Sequence, residues 1–84
     1  MKHVRPNTFL AVDAEVVRAR TKFPGNKHML AALTEEVGEL AKALLQDLPR
    51  DRVVAEAVQV ACCAIRIIEE GDAAFDVKDW GTLA

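Results

Sequence analysis

Tyrosine is missing altogether, and aromatic residues make up only 5% of the 84-residue chain. A sheet built on aromatic cross-strand pairs is therefore a poor match, whereas the abundant Ala, Val, Leu and Ile suit close helix packing. Cysteine is equally scarce. Cys62 and Cys63 are adjacent inside an apolar run, so they read as small buried hydrophobes in a reducing compartment and not as a disulfide framework. No Cys-x-x-Cys pairing with histidines is present to hold structural zinc. The net charge is -2 and Lys and Arg are scattered, which leaves no basic stripe for phosphate contacts and excludes a nucleic-acid duplex from the expected partners. Long apolar runs are missing too: residues 57–68 are interrupted by Gln59 and Arg66 and fall short of a bilayer span, and the N-terminal residues lack a signal-peptide core. The expectation is a cytoplasmic protein with no membrane partner. Internal repeats, low-complexity tracts, phosphate-cradling Gly-rich loops and telling Ser/His/Asp spacings are absent as well.

What remains is a single all-α domain over residues 1–84. At this size a lone domain buries only ~60 to 65% of its unfolded surface, so association into an oligomer is expected. Residues 1–6 read as a loose arm. Asn7 or Thr8 can cap a first helix over residues 9–22, which Phe23, Pro24, Gly25 and Asn26 then break. A second helix re-enters at Lys27 and runs to Asp47, Leu48 and Pro49 stop it, and a third covers residues 52–70 with Gly71 as its C-terminal cap. The expected architecture is thus an antiparallel bundle of three main helices per chain. Residues 72–84 form either a short helical turn or a tail that crosses a neighbouring subunit, with Trp80 as a packing anchor or a base-stacking residue.

Residues 30–46, LAALTEEVGELAKALLQ, draw the chain together. Leu30, Leu33, Val37, Leu40 and Leu44 alternate at spacings of three and four, the repeat of an apolar helix seam. At ~100° per residue, Glu35 and Glu39 lie nearly opposite that seam and Glu36 at its border. Like charges at these spacings repel by ~0.2 to 0.5 kcal/mol per pair. Either Lys42 offsets them as part of an ordinary solvated face, or a cation does.

The third helix is apolar nearly all round except for one narrow line: Arg52, Glu56, Gln59, Cys63, Arg66 and Glu70. That line is either a solvent-facing stripe of ion pairs, Arg52 with Glu56 and Arg66 with Glu70, or the wall of a cleft. Counting outward from Pro49 brings Glu39 level with Gln59 and leaves Glu56 about one turn away.

EEVGEL at Glu35 to Leu40 followed by AEAVQV at Ala55 to Val60 resembles the MazG-like all-α nucleoside triphosphate pyrophosphohydrolases. The family pattern is Glu-x-x-Glu, an interval, then Glu-x-x-Asp. Glu36 and Glu39 match its first half and Glu56 the first acid of its second, after a sixteen-residue interval, and Gln59 stands where Asp is expected. The likeness runs from about Asn26 through Asp72. It implies hydrolysis of a nucleoside triphosphate between the α and β phosphates, with Mg2+ held by Glu36, Glu39, Glu56 and Gln59, and with Glu35 orienting a water or sitting in the outer shell. Homodimeric or homotetrameric assembly is the expectation, the apolar helix faces supplying the contacts. Lys27, Lys42 and Arg66 are candidate phosphate contacts on charge alone. The base stays open, because related all-α enzymes act on deoxyuridine nucleotides or phosphoribosyl-ATP. Gln59 brings no negative charge and is a poor base, so a non-catalytic or impaired nucleotide-binding protein of the same fold is the alternative.

Overall fold

In the computed structural model, which describes residues 2–75, three helices follow one another: α1 (Pro6–Lys22), α2 (Met29–Leu45) and α3 (Arg50–Glu70), with a 3-10 turn at Ala73–Phe75. The class is all-α, as expected. α1 starts earlier than Asn7 or Thr8 would allow, because Pro6 occupies its first turn, where a missing N–H costs nothing, and Arg5 is the N-cap with no side-chain bond. α2 ends at Leu45 and not at Asp47. Asp47 takes a left-handed φ of 53°, and the N–H of Leu48 reaches back to the Ala43 carbonyl at 3.0 Å, a Schellman-type closure. α3 begins at Arg50, directly after Pro49. Gly71, with a φ of 73°, closes it as expected, its N–H bonding the Ile67 carbonyl at 2.9 Å. Trp80 and the rest of residues 76–84 lie outside the described residues.

α3 is the central element and packs against both α1 and α2. Val12, Val16 and Ala19 form one face of α1 and close on Cys62, which is 2% exposed, with Val58, Ala61 and Ile65 of α3 beside them. Cys62 is therefore the buried hydrophobe that its apolar neighbours suggested, and burial pushes both thiols up from their ordinary range.

The packing face of α2 differs from the expected seam by one step of the helix. Met29 and Ala43 are buried, Leu33, Glu36 and Leu40 are half-buried, and these five positions again alternate by four and three. Leu33 and Leu40 belong to both lines. Leu30, Val37 and Leu44 instead remain 46%, 47% and 60% exposed. Glu36 accordingly sits in the middle of the inward face and not at its border.

Two side chains lock the loop between α1 and α2 onto the end of α3. Arg66, 5% exposed, donates from Nη2 to the Phe23 and Gly25 carbonyls at 3.0 and 2.9 Å, and from Nε and Nη2 to Glu70 at 2.9 and 3.0 Å. Arg20 donates to the same Glu70 at 2.8 Å. These cations hold the Glu70 carboxyl below its usual range, the Arg66 bond contributing most. Asp72 accepts the Leu30 N–H at 2.7 Å. His28, the α2 N-cap, makes no side-chain bond of its own, so Asp72 satisfies from a distant position a donor that α2 would leave orphaned.

Candidate functional site

A cleft of about 640 Å³ opens in the wedge between α1 and α2, with α3 as its floor. α1 contributes Arg18 and Ala19, the connecting loop Phe23 to His28, α2 Met29, Ala32, Glu35 and Glu36, and α3 Gln59, Cys62, Cys63 and Arg66. Gln59, Cys63 and Arg66 are three members of the polar line of α3, and none of them is exposed. Its middle part is thus a cleft wall, while Arg52 at its start is exposed and Glu56 and Glu70 are not among the lining residues. Of the two ion pairs that the stripe required, Arg66 with Glu70 forms at 2.9 Å, whereas Arg52 is exposed and Glu56 turns elsewhere.

Glu56 meets Glu36. Burial of Glu36 and the negative charge of Glu56 within hydrogen-bonding reach push the Glu36 carboxyl above its ordinary value, with smaller additions from Glu35 and Glu39. This meeting corrects the expected pairing. Counting from Pro49 brings Glu39 level with Gln59 and leaves Glu56 a turn away; instead Gln59 bonds Glu15 of α1, and the acid of α2 that Glu56 acts on most is Glu36. Glu39 lies on the exposed side of α2 and does not line the cleft, while Glu35 is exposed at its edge.

Gln59 faces a residue that sequence reasoning did not single out. Its Nε2 donates to Oε2 of Glu15 at 2.6 Å, and Arg18 grips the same carboxylate, its Nε donating to Oε1 at 2.9 Å and its Nη2 to Oε2. Arg18 first, and Gln59 after it, hold Glu15 below its usual range even though burial opposes them. The only sequence signal was an acid at position 15 inside the apolar period of α1, one residue before the buried Val16. Of the candidate phosphate contacts, Lys27 is exposed at the cleft edge, Arg66 has Nε and Nη2 committed to protein acceptors, and Lys42 is exposed away from the cleft. Lys42 pairs with no acid among the described residues, so it does not neutralise the α2 cluster as an ion-pair partner.

Among the described residues no group of three or more His, Cys, Asp or Glu side chains converges as a metal-ligand set. The converging unit is the pair Glu36 and Glu56. Magnesium is commonly held by one or two carboxylates with waters and substrate oxygens filling its remaining positions. Two neighbouring carboxyls are hard oxygen donors, and a divalent cation between them would offset the repulsion that holds Glu36 above its usual range, so the donor chemistry fits. No described helix is long and apolar enough to cross a membrane. Set beside known proteins, the chain matches no family model, no curated protein and no solved structure.

Proposed function

We propose that this protein is a magnesium-dependent nucleoside triphosphate pyrophosphohydrolase of the MazG-like all-α type, releasing a monophosphate and pyrophosphate. The observation that carries the reading is the meeting of Glu36 and Glu56, contributed by adjacent helices, beside a cleft large enough for a nucleotide. Glu36 and Glu56 would hold the cation; Gln59 lines the same cleft as Glu36, whereas Glu39 is exposed outside it. Bound there, magnesium supplies positive charge for the phosphates and a water of lowered pKa. Lys27 at the edge offers charge to the outer phosphates, and Met29, Ala32 and Cys63 offer an apolar wall to the base. The exposed apolar residues of α2 support assembly into a homodimer or homotetramer.

A second reading, nucleotide binding without turnover, is favoured by one observation: two acids converge where the family pattern asks for four. Pyrophosphate release from a panel of nucleoside triphosphates, with and without Mg2+, separates the two. The expected result is metal-dependent release that falls at least a hundredfold in Glu56→Ala and less in Glu39→Ala. Nucleotide binding without release, in the native protein and in Gln59→Asp alike, would establish the second reading.

A further inference from the structure

An exposed arginine is ordinarily a loose cation, and its pairing with an acid three residues away on the same helix contributes little. Arg18 departs from that pattern. Its Nε donates to Oε1 and Oε2 of Glu15 at 2.9 and 3.1 Å and its Nη2 to Oε2, so one edge of the planar guanidinium lies against the carboxylate. Glu15 is in turn held from a second helix. Its side chain is only 14% exposed, and Gln59 of α3 donates Nε2 to the same Oε2 at 2.6 Å. A guanidinium on α1 is thereby tied to the central helix through a carboxylate with little access to water.

That tie leaves most of the arginine's donors unspent. Of its five N–H groups, Glu15 takes the one on Nε and one of the two on Nη2; the other Nη2 hydrogen and both on Nη1 meet no acceptor among the described residues. The Arg18 side chain is still 51% exposed, and it lines the cleft. Glu35 and Glu36 line the same cleft from α2 and repel an anion there, whereas the loop after α1 adds Lys27. An anionic group is therefore accepted on the α1 side.

We infer that Arg18 is a phosphate contact of the cleft, a guanidinium fixed by Glu15 and Gln59 that offers its remaining N–H groups to the triphosphate chain of the substrate. The inference rests on the reading of the cleft as a nucleotide site and not on a bound cation. Glu15 neutralises the charge of its partner, so what Arg18 supplies is a directional fork of donors whose rotamer freedom is already given up before the ligand arrives. Gln59 acquires a role at the same time. Its amide can donate to Glu15, which the acid expected at this position could only repel.

NMR titration of 15N-labelled protein with inorganic tripolyphosphate and with each of the four ribonucleoside triphosphates, all in EDTA, tests the role. The Arg18 Nε–Hε resonance is expected to move saturably together with the backbone amides of Gly25 and Ala32, which line the cleft. The midpoint of those amide shifts should rise at least about tenfold in Arg18→Met. It should rise at least about threefold in Arg18→Lys, which keeps the charge and loses the fork. Gln59→Leu, which unties Glu15, should weaken binding about threefold when Arg18 is present and change nothing in Arg18→Met, a coupling that a merely structural Gln59 would not show. Arg18→Lys binding as tightly as the native protein, or Gln59→Leu having the same effect with and without Arg18, overturns the inference. Should the variants not fold, the native resonances decide. Cleft amides that move while the Arg18 resonance stays still overturn the role of Arg18 and leave the nucleotide reading standing; no response to any of the five compounds overturns both.

Discussion

Glu36 occupies a position where the packing of α2 and the ionisation of a carboxyl oppose each other. The inward line of the helix places it between Leu33 and Leu40, and α3 brings Glu56 against it. Its folded-state value lies above the ordinary 4.5. The sign follows by linkage: the stability that Glu36 contributes is fully present below 4.5 and is lost as the pH rises through the folded value, so at neutral pH the ionised group weighs against folding in the absence of a cation. Glu36→Gln should therefore raise the metal-free melting temperature at pH 7 while abolishing the stabilisation that Mg2+ gives the native protein. Calorimetry with and without Mg2+ checks both halves, and a lower metal-free midpoint would contradict this account of Glu36. Glu36 and Glu56 were singled out in the sequence by their resemblance to the Glu-x-x-Glu and Glu-x-x-Asp pattern and not by periodicity, which put Glu36 at the border of the apolar seam. Glu15 was not legible. Residues 15 and 59 are 44 apart in the chain, and only the closure of α1 on α3 makes them neighbours.

At the scale of the element, α2 explains why one line of residues was mistaken for another. The expected seam and the observed inward face share Leu33 and Leu40 and differ by a single helical step elsewhere. Leucine satisfies both lines equally, and the presence of Glu36 made the true one look like a polar border. Helix type and number followed from breakers that act locally, Pro24, Gly25, Pro49 and Gly71. Facing did not, because it is decided by a neighbouring helix. Gly38 lies on the outer side of α2, and a Cβ there would meet nothing within 4 Å. Gly38→Ala should then add about 0.5 to 1 kcal/mol of stability by reducing backbone freedom in the unfolded chain, read from urea unfolding of the dispersed protein. Arg66→Met, by contrast, leaves the Phe23 and Gly25 carbonyls and Glu70 without their shared donor. A loss of about 3 kcal/mol is expected in the same measurement. A loss below about 1 kcal/mol would mean that the loop is held in place by other contacts.

The whole molecule keeps a small interior. Val12, Val16, Ala19, Met29, Ala43 and Cys62 are its buried apolar residues, while Phe9, Leu10 and Val17 of α1 and Leu30, Val37 and Leu44 of α2 stay exposed. Scattered apolar residues on a surface are ordinary, but the α2 set is not scattered. Its members recur every seven residues, which keeps them on one line of the helix, the spacing by which two helices meet along a seam. The half-buried Leu33 and Leu40 flank that line on the side of α3, so a second α2 laid against it would complete the cover that one chain leaves unfinished. Burying a fully exposed Val or Leu side chain contributes about 1.5 to 3 kcal/mol, and since these are 46% to 60% exposed, the six across a two-fold seam would supply roughly half that each against the entropy of association. Val37→Asp places a charge at the centre of the line, at a position 47% exposed. Sedimentation should show the native protein associated at micromolar concentration and Val37→Asp dispersed to monomers with its helical circular dichroism retained, since the substitution leaves the Val12, Val16, Ala19 and Cys62 core intact. A native chain that sediments as a monomer at every concentration would remove the seam, and with it the homo-oligomer, from the proposed assembly.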